Sequence, residues 1–147
     1  MSTQTMPQPE QPRAWRWAFV LLWMGFIFFM SAQTSSGDQS MAIVQVLLHL
    51  VGVQPDAAGL ALANHLLRKT AHFSVYATLA LLSWWALPGR GWRRFVGAWA
   101  IAALYACTDE FHQAFVPSRG PSPWDVALDS TGAGCAMLLA ALLTRRK

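Results

Sequence analysis

Three short stretches hold nearly all of the residues that could do chemistry. Arg68, Lys69, His72 and Tyr76 form the first, Asp109, Glu110 and Gln113 the second, and Asp125 and Asp129 the third. Arg68 and His72 are four residues apart, as are His72 and Tyr76, so on a helix they share one face. Asp109 and Gln113 have the same spacing, as do Asp125 and Asp129, and Glu110 and Gln113 are three apart. Arg119 adds a cation in a Pro/Gly loop between the second and third stretches. Guanidinium and ammonium groups side by side suit a phosphate. A histidine beside carboxylates suits acid–base work or a divalent ion. No nucleophile motif accompanies them, since Ser74 and Thr108 are ordinary residues of apolar stretches. Cys107 and Cys135 also fall in apolar blocks, without CxxC or Cys/His spacing. No metal site or cofactor is expected.

The elements that must position these groups are membrane helices. The 147 residues are 54% hydrophobic and only 12% charged, about half the charged share of a soluble domain. The apolar residues come in long blocks. Residues 1–12 read as a disordered cytoplasmic tail, and 13–147 as a single transmembrane domain. Trp15–Met30 is a first span; large Met30 stands where a signal-peptidase site wants a small residue, so an uncleaved helix is expected. Residues 31–40 read as a loop. Met41–Val53 rises only about 20 Å as a helix, too short for a core of about 30 Å, and is assigned as interfacial or re-entrant with Gln45 and His49 as its wetted stripe. Pro55-Asp56 opens a helix that runs into Arg68-Lys69, and 70–87 is apolar enough to span. Pro88-Gly89-Arg90-Gly91 is a turn, 95–115 a third span, 116–123 a loop, and Trp124–Leu143 the last span. The expected fold is an all-α polytopic membrane bundle of about four transmembrane helices plus one interfacial or re-entrant helix.

Orientation follows from the cations. Arg13, Arg16, Arg90, Arg93, Arg94, Arg145, Arg146 and Lys147 fall on one side, and Arg68, Lys69 and Arg119 on the other. Eight against three places both termini in the cytoplasm of a cell with an inner membrane. Trp15, Trp17, Trp84, Trp85, Trp92 and Trp99 then fall near the cytoplasmic interface as anchors. The net charge of +4 is therefore a topology signal, and nucleic acid is not an expected partner. With helices so placed, His72 and Tyr76 lie about 5 and 11 Å below the outer surface. Asp109 and Glu110 lie about 8 Å down on the next span, and Asp129 about 7 Å down on the last. Three helices thus carry costly polar groups at one depth, where they must face each other or water.

Plainer roles stand beside these. Ser122, Pro123 and Asp125 fit the N-cap, first and third positions of a helix start, which by itself accounts for Asp125. Lys69 by default snorkels to the headgroups. Arg119 suits a solvated loop, and His112 an interface. Ala133, Gly134 and Ala136 would let a neighbouring helix approach closely. Arg68, Lys69 and Arg119 would also serve to neutralise Asp109, Glu110, Asp125 and Asp129 in a purely structural network.

Arg68-Lys69-Thr70-Ala71-His72-Phe73 with Tyr76 resembles the R-K-x-x-H-F-x-x-Y motif of the VanZ-like membrane proteins. Asp109-Glu110-Phe111-His112-Gln113, with Phe115, Pro117 and Arg119, resembles that family's D-E-x-x-Q-x-F-x-P-x-R signature. Asp125, Asp129 and Gly132 resemble its D-x-x-x-(N/D)-x-x-G ending, and Ser31-Ala32-Gln33 its S-x-Q element. The likeness runs over about residues 15–143. Pro121 and Pro123 around Ser122 depart from the pattern, where Gly, Ser and Thr are usual. The resemblance implies a membrane protein whose namesake is associated with low-level resistance to the glycopeptide teicoplanin; it implies no particular reaction.

The reading that follows is a cell-envelope role, with an outward-facing site for a lipid-linked or headgroup-bearing ligand. Arg68, Lys69 and Arg119 would hold a phosphate, and His72, Asp109, Glu110 and Asp129 are the candidates for acid–base work. Partners would be membrane lipids, a lipid-linked envelope precursor, and a second copy in a homo-oligomer. A phosphatase or transferase on such lipids is one alternative. A proton- or ion-coupled transporter subunit relaying through Glu110 and Asp129 is another, though four spans leave little room for alternating access.

Overall fold

The computed structural model describes residues 14–32, 36–116 and 122–144. Among them the chain is all-helical: α1 (Ala14–Ala32), α2 (Ser36–Leu50), α3 (Ala57–Ala86), α4 (Trp92–Gln113) and α5 (Pro123–Thr144), with no strand. The tail 1–12, Arg13, Gln33, Arg119 with loop residues 117–121, and the cations 145–147 lie outside the described residues.

Three punctuation points set the boundaries. Asp56 caps α3, its carboxylate accepting a hydrogen bond from the Gly59 amide at 2.8 Å. Gly89 and Gly91 take φ of +82° and +79° in the turn between α3 and α4, a region closed to most side chains. Gly52, at φ +76°, follows the end of α2. α2 is displaced from the bounds expected of an interfacial or re-entrant helix: it starts at Ser36, inside the expected loop, and stops at Leu50. Ser36 and Asp38 are residue types that favour a first helical turn, and that signal outweighs the polarity that suggested a loop.

α3 is the axis, packed against all four other helices and most extensively against α5. The start of α1 meets the end of α3, where Arg16 donates to the Trp85 carbonyl at 2.9 Å. The end of α1 meets the end of α4, where Gln113 donates to Ser31. α1 and α4 therefore run one way and α3 and α5 the other. Aromatic donors tie neighbours together. Trp23 on α1 donates to the Val75 carbonyl on α3, and Tyr105 on α4 to the Met24 carbonyl on α1. Trp99 donates to the Ser130 carbonyl at 3.0 Å, so it is a strut between α4 and α5 as well as an indole at the bundle surface.

The tightest seam is α3 against α5. A Cβ added to Gly132 would lie 2.4 Å from the Phe73 carbonyl oxygen. Of the small residues expected to allow close approach, Ala133 is fully buried, while Gly134 has only ordinary contacts with Trp99. Along α4 the buried face changes character: Ala98, Ala102 and Ala106 line one half of the bundle, and Asp109, Glu110 and Gln113 the other. α5 repeats this in reverse, with Asp129 buried near its start and Met137 and Ala140 towards its end.

α1 and α5 are each long and apolar enough to cross a membrane. α3 and α4 do not meet that mark by composition, because Arg68 and Lys69 interrupt one, and Arg93, Arg94, Asp109 and Glu110 the other. Two spans rather than four are thus evident from helix length and apolarity.

Candidate functional site

α3 supplies one wall of a polar cluster. Its residues 64, 68, 69, 72 and 76 recur at three- and four-residue steps and face α5, α4 and the gap towards α2. His72 Nδ1 lies 3.5 Å from Asp129 Oδ2 on α5, and Asp129 is 1% exposed. The close seam at Gly132, one turn beyond Asp129, sets that distance. Tyr76, also 1% exposed, turns its hydroxyl towards Asp109 on α4 without a well-formed hydrogen bond. His72, Asp109, Glu110, Asp125 and Asp129 lie close enough to feel one another's charge. Side chains of α3, α4 and α5 therefore meet in one cluster.

The pairing differs in detail from the sequence expectations. Lys69, read as snorkelling, donates to Asp125 across the α3–α5 seam. Asp125, read as the third position of a helix start on Ser122 and Pro123, holds that place in the first turn of α5 and meets the Lys69 ammonium as well. The Ser122 amide goes to Glu110 Oε2 at 2.7 Å, so Glu110 holds the start of α5 onto α4. Gln113 Nε2 donates to Ser31 Oγ at 2.6 Å and to Asp109 Oδ2 at 3.2 Å. Arg119 lies outside the described residues.

Arg68 is the exception among these residues. It is half-buried and makes no ion pair or hydrogen bond with any described residue. Its side chain lines two adjoining cavities. One, of about 290 Å³, lies between α1, α2 and α3, with Arg68, His72, Tyr76 and Asp109 at its polar end and Phe26, Ile27, Met30 and Val75 along its apolar side. The other, of about 390 Å³, is polar and adds Asn64, Lys69 and Asp125. Arg68 and His72 belong to both.

Several buried polar atoms here lack a protein partner: the Tyr76 hydroxyl, Asp109 Oδ1, Asp129 Oδ1 and Asn64 Oδ1. Such atoms cost free energy in a sealed core unless water or a ligand meets them. No group of three or more His, Cys, Asp or Glu among the described residues has metal-binding geometry. The chemistry on offer is a guanidinium with no partner among the described residues, an imidazole 3.5 Å from a carboxylate, and an apolar wall beside them.

Two participants were absent from the sequence-derived site. Ser31 carries the second anchor of Gln113, and its only signal was the S-x-Q element. Asn64 gave none, lying a turn before the motif that begins at Arg68.

No curated protein and no solved structure matches the chain. A family model described as VanZ/LLP1 matches residues 16–144, which takes in all but the first two residues of the five helices and every residue of the cluster. The chain belongs to the VanZ/LLP1 family.

Proposed function

We propose that this is a four-span membrane protein of the cell envelope whose cluster recognises a lipid-borne phosphate in the outer leaflet. The observation that carries the reading is the cavity between α1, α2 and α3. It sets a half-buried guanidinium, without a partner among the described residues, at one end of an apolar wall, which is the pattern an amphiphile with an anionic head requires. Lys69 is engaged by Asp125 and so supplies field more than contact. α3 and α4 would complete the four spans. α4 turns Val96, Leu104 and Phe111 outward, an apolar face that suits lipid despite its charged ends. Both termini would be cytoplasmic, in an inner membrane, with the cluster facing outward.

The test is binding of a short-chain prenyl monophosphate, against the matching prenyl alcohol, by protein in detergent micelles. The phosphate should bind and the alcohol should not. Arg68→Ala should weaken the phosphate at least tenfold, the size of one lost charge-assisted hydrogen bond of about 1.5–3 kcal/mol. Equal binding of alcohol and phosphate would refute the reading.

One observation favours an enzyme acting on the same ligand. His72 is held by Asp129 through Nδ1 and borders both cavities, the arrangement of a general base oriented by a carboxylate. Release of inorganic phosphate from the prenyl monophosphate, abolished by His72→Gln, would establish that reading. Binding without turnover would leave a recognition protein.

A further inference from the structure

Two cavities meet at Arg68, and they differ in kind. The one between α1, α2 and α3 follows α3 from Leu67 to Val75 and Tyr76, with Ile27 and Met30 of α1 opposite. The other lies back towards the start of α3 and reaches Ala61. From Arg68 to Ala61 is about 10 Å along a helix axis, at 1.5 Å per residue. Arg68 and His72 line both cavities, so the order along α3 is apolar cavity, guanidinium, polar cavity.

The polar cavity is lined by groups that donate and groups that accept. Asn64 and His65 stand one turn before Arg68 on α3, and Asp125 lines it from α5. Asn64 is buried, and its Oδ1 has no protein partner. An amide offers an oxygen that accepts and an NH2 that donates, a carboxylate adds acceptors, and an imidazole supplies either. Lys69, the cation beside them, is engaged by Asp125. Arg68 is then the lining Lys or Arg with no partner among the described residues. One such cation suits one phosphate and not a second. The rest of the lining suits hydroxyls, which donate and accept through one oxygen.

Resting on the proposed phosphate at Arg68, we infer that the ligand is a phosphodiester whose headgroup carries hydroxyls, as a sugar or glycerol does. Its hydrocarbon chain would lie in the apolar cavity, its phosphate against Arg68, and its hydroxyls against Asn64, His65 and Asp125. A terminal phosphomonoester would leave the polar cavity unfilled and Asn64 unmet. A diphosphate would bring its second charge towards Asp125, where no further Lys or Arg is free among the described lining residues. A phosphodiester places one charge at one guanidinium and hydroxyls beyond it, which is the order of groups along α3.

Binding by the intact protein in detergent micelles tests this, with two pairs of phosphodiesters matched in charge and chain. In the first pair a short-chain prenyl phosphate is esterified with glucose or with methanol. In the second, short-chain phosphatidylglycerol is set against phosphatidylmethanol. The hydroxylated member of at least one pair should bind about tenfold more tightly, the scale of a buried polar group left unmet when the hydroxyls are absent. The pair that discriminates identifies the chain as prenyl or diacyl. Asn64→Leu should bring the members of that pair to equal affinity. Ala61→Trp, at an exposed position on the rim, keeps Asn64 and fills the polar cavity, and should do the same. Equal affinity of the wild type for both members of each pair overturns the inference. So does a preference that survives in folded Ala61→Trp, because the hydroxyls would then be read elsewhere. Failure of the proposed function looks different: the prenyl alcohol would bind as tightly as the methyl diester.

Discussion

Replacing Gly132 by alanine tests the seam that sets the His72–Asp129 distance. The added methyl would stand 2.4 Å from the Phe73 carbonyl oxygen and 3.1 Å from that residue's carbonyl carbon and Cα. All three are backbone atoms of α3, so no side chain can rotate away; the helices must separate by about 1 Å to restore van der Waals contact. Overpacking of this kind typically costs 1–3 kcal/mol, and a rigid backbone neighbour argues for about 3. Alanine returns up to about 1 kcal/mol of helix propensity, leaving about 2 kcal/mol of net destabilisation. Gly134→Ala is the matched control two residues on. Its Cβ meets only Trp99 atoms at 3.7 and 3.8 Å, so the propensity gain should stand alone. Thermal unfolding in one detergent should place Gly132→Ala about 4–8 °C below the wild type and Gly134→Ala at or slightly above it. Equal melting temperatures for Gly132→Ala and the wild type would refute the close approach. Equal losses in the two variants would show that glycine flexibility, and not space, is what the positions need.

Four further outcomes follow from the same geometry. Arg68→Ala should leave membrane abundance near that of the wild type, since no described partner is stranded; quantitative immunoblotting that shows loss of protein would reveal a missed one. Lys69→Ala and Asp125→Ala should couple by less than about 1 kcal/mol in a double-mutant unfolding cycle, because the two side chains are 33% and 23% exposed. Ser31→Ala removes one acceptor of the Gln113 amide and should cost about 1 kcal/mol in the same assay; no change would mean that the bond contributes nothing. Reporter fusions after Lys147 and within 117–122 should report cytoplasmic and external locations respectively, and a periplasm-active signal at the C-terminus would invert the orientation.

Helix number, order and approximate bounds were legible in the sequence because the turn signals are strong: Pro55-Asp56, Pro88-Gly89-Arg90-Gly91 and Ser122-Pro123 each stand next to an observed boundary. The meeting of His72, Asp109 and Asp129 was legible too, since the cost of lone charges in an apolar bundle leaves few other arrangements. The partner of each group was not. Spacing gave Asp125 its place in the first turn of α5, but its pairing with Lys69 depends on how α3 and α5 dock. That docking depends on a glycine whose role is invisible without the Phe73 carbonyl beside it. The small-residue run around Ala133 pointed at the right helix. Which of its members bears the contact depends on the azimuth of α5, and sequence does not fix that to within one residue. The start of α2 was missed because a polar run reads as a loop unless first-turn preferences are weighed against it.

Whether the cluster is a scaffold or a site turns on how its charges are shared out. A structural network would pair Arg68 and Lys69 with the carboxylates around them. The structure pairs Lys69 with Asp125 and His72 with Asp129, gives Glu110 a backbone amide, gives Asp109 the Gln113 side chain, and gives Arg68 nothing among the described residues. Glu110 is then the scaffold member: Glu110→Gln keeps an oxygen for the Ser122 amide and should be mild, while Glu110→Ala leaves that amide unmet at the start of α5. Arg68 is the opposite case. A half-buried guanidinium without a partner among the described residues has a desolvation cost that nothing in the described fold offsets, which supports the proposal that it meets a ligand from outside. If Arg68→Ala and Glu110→Gln were structural partners, each alone would lower abundance and the pair together would recover it. The geometry predicts no such recovery, because the two side chains share no bond.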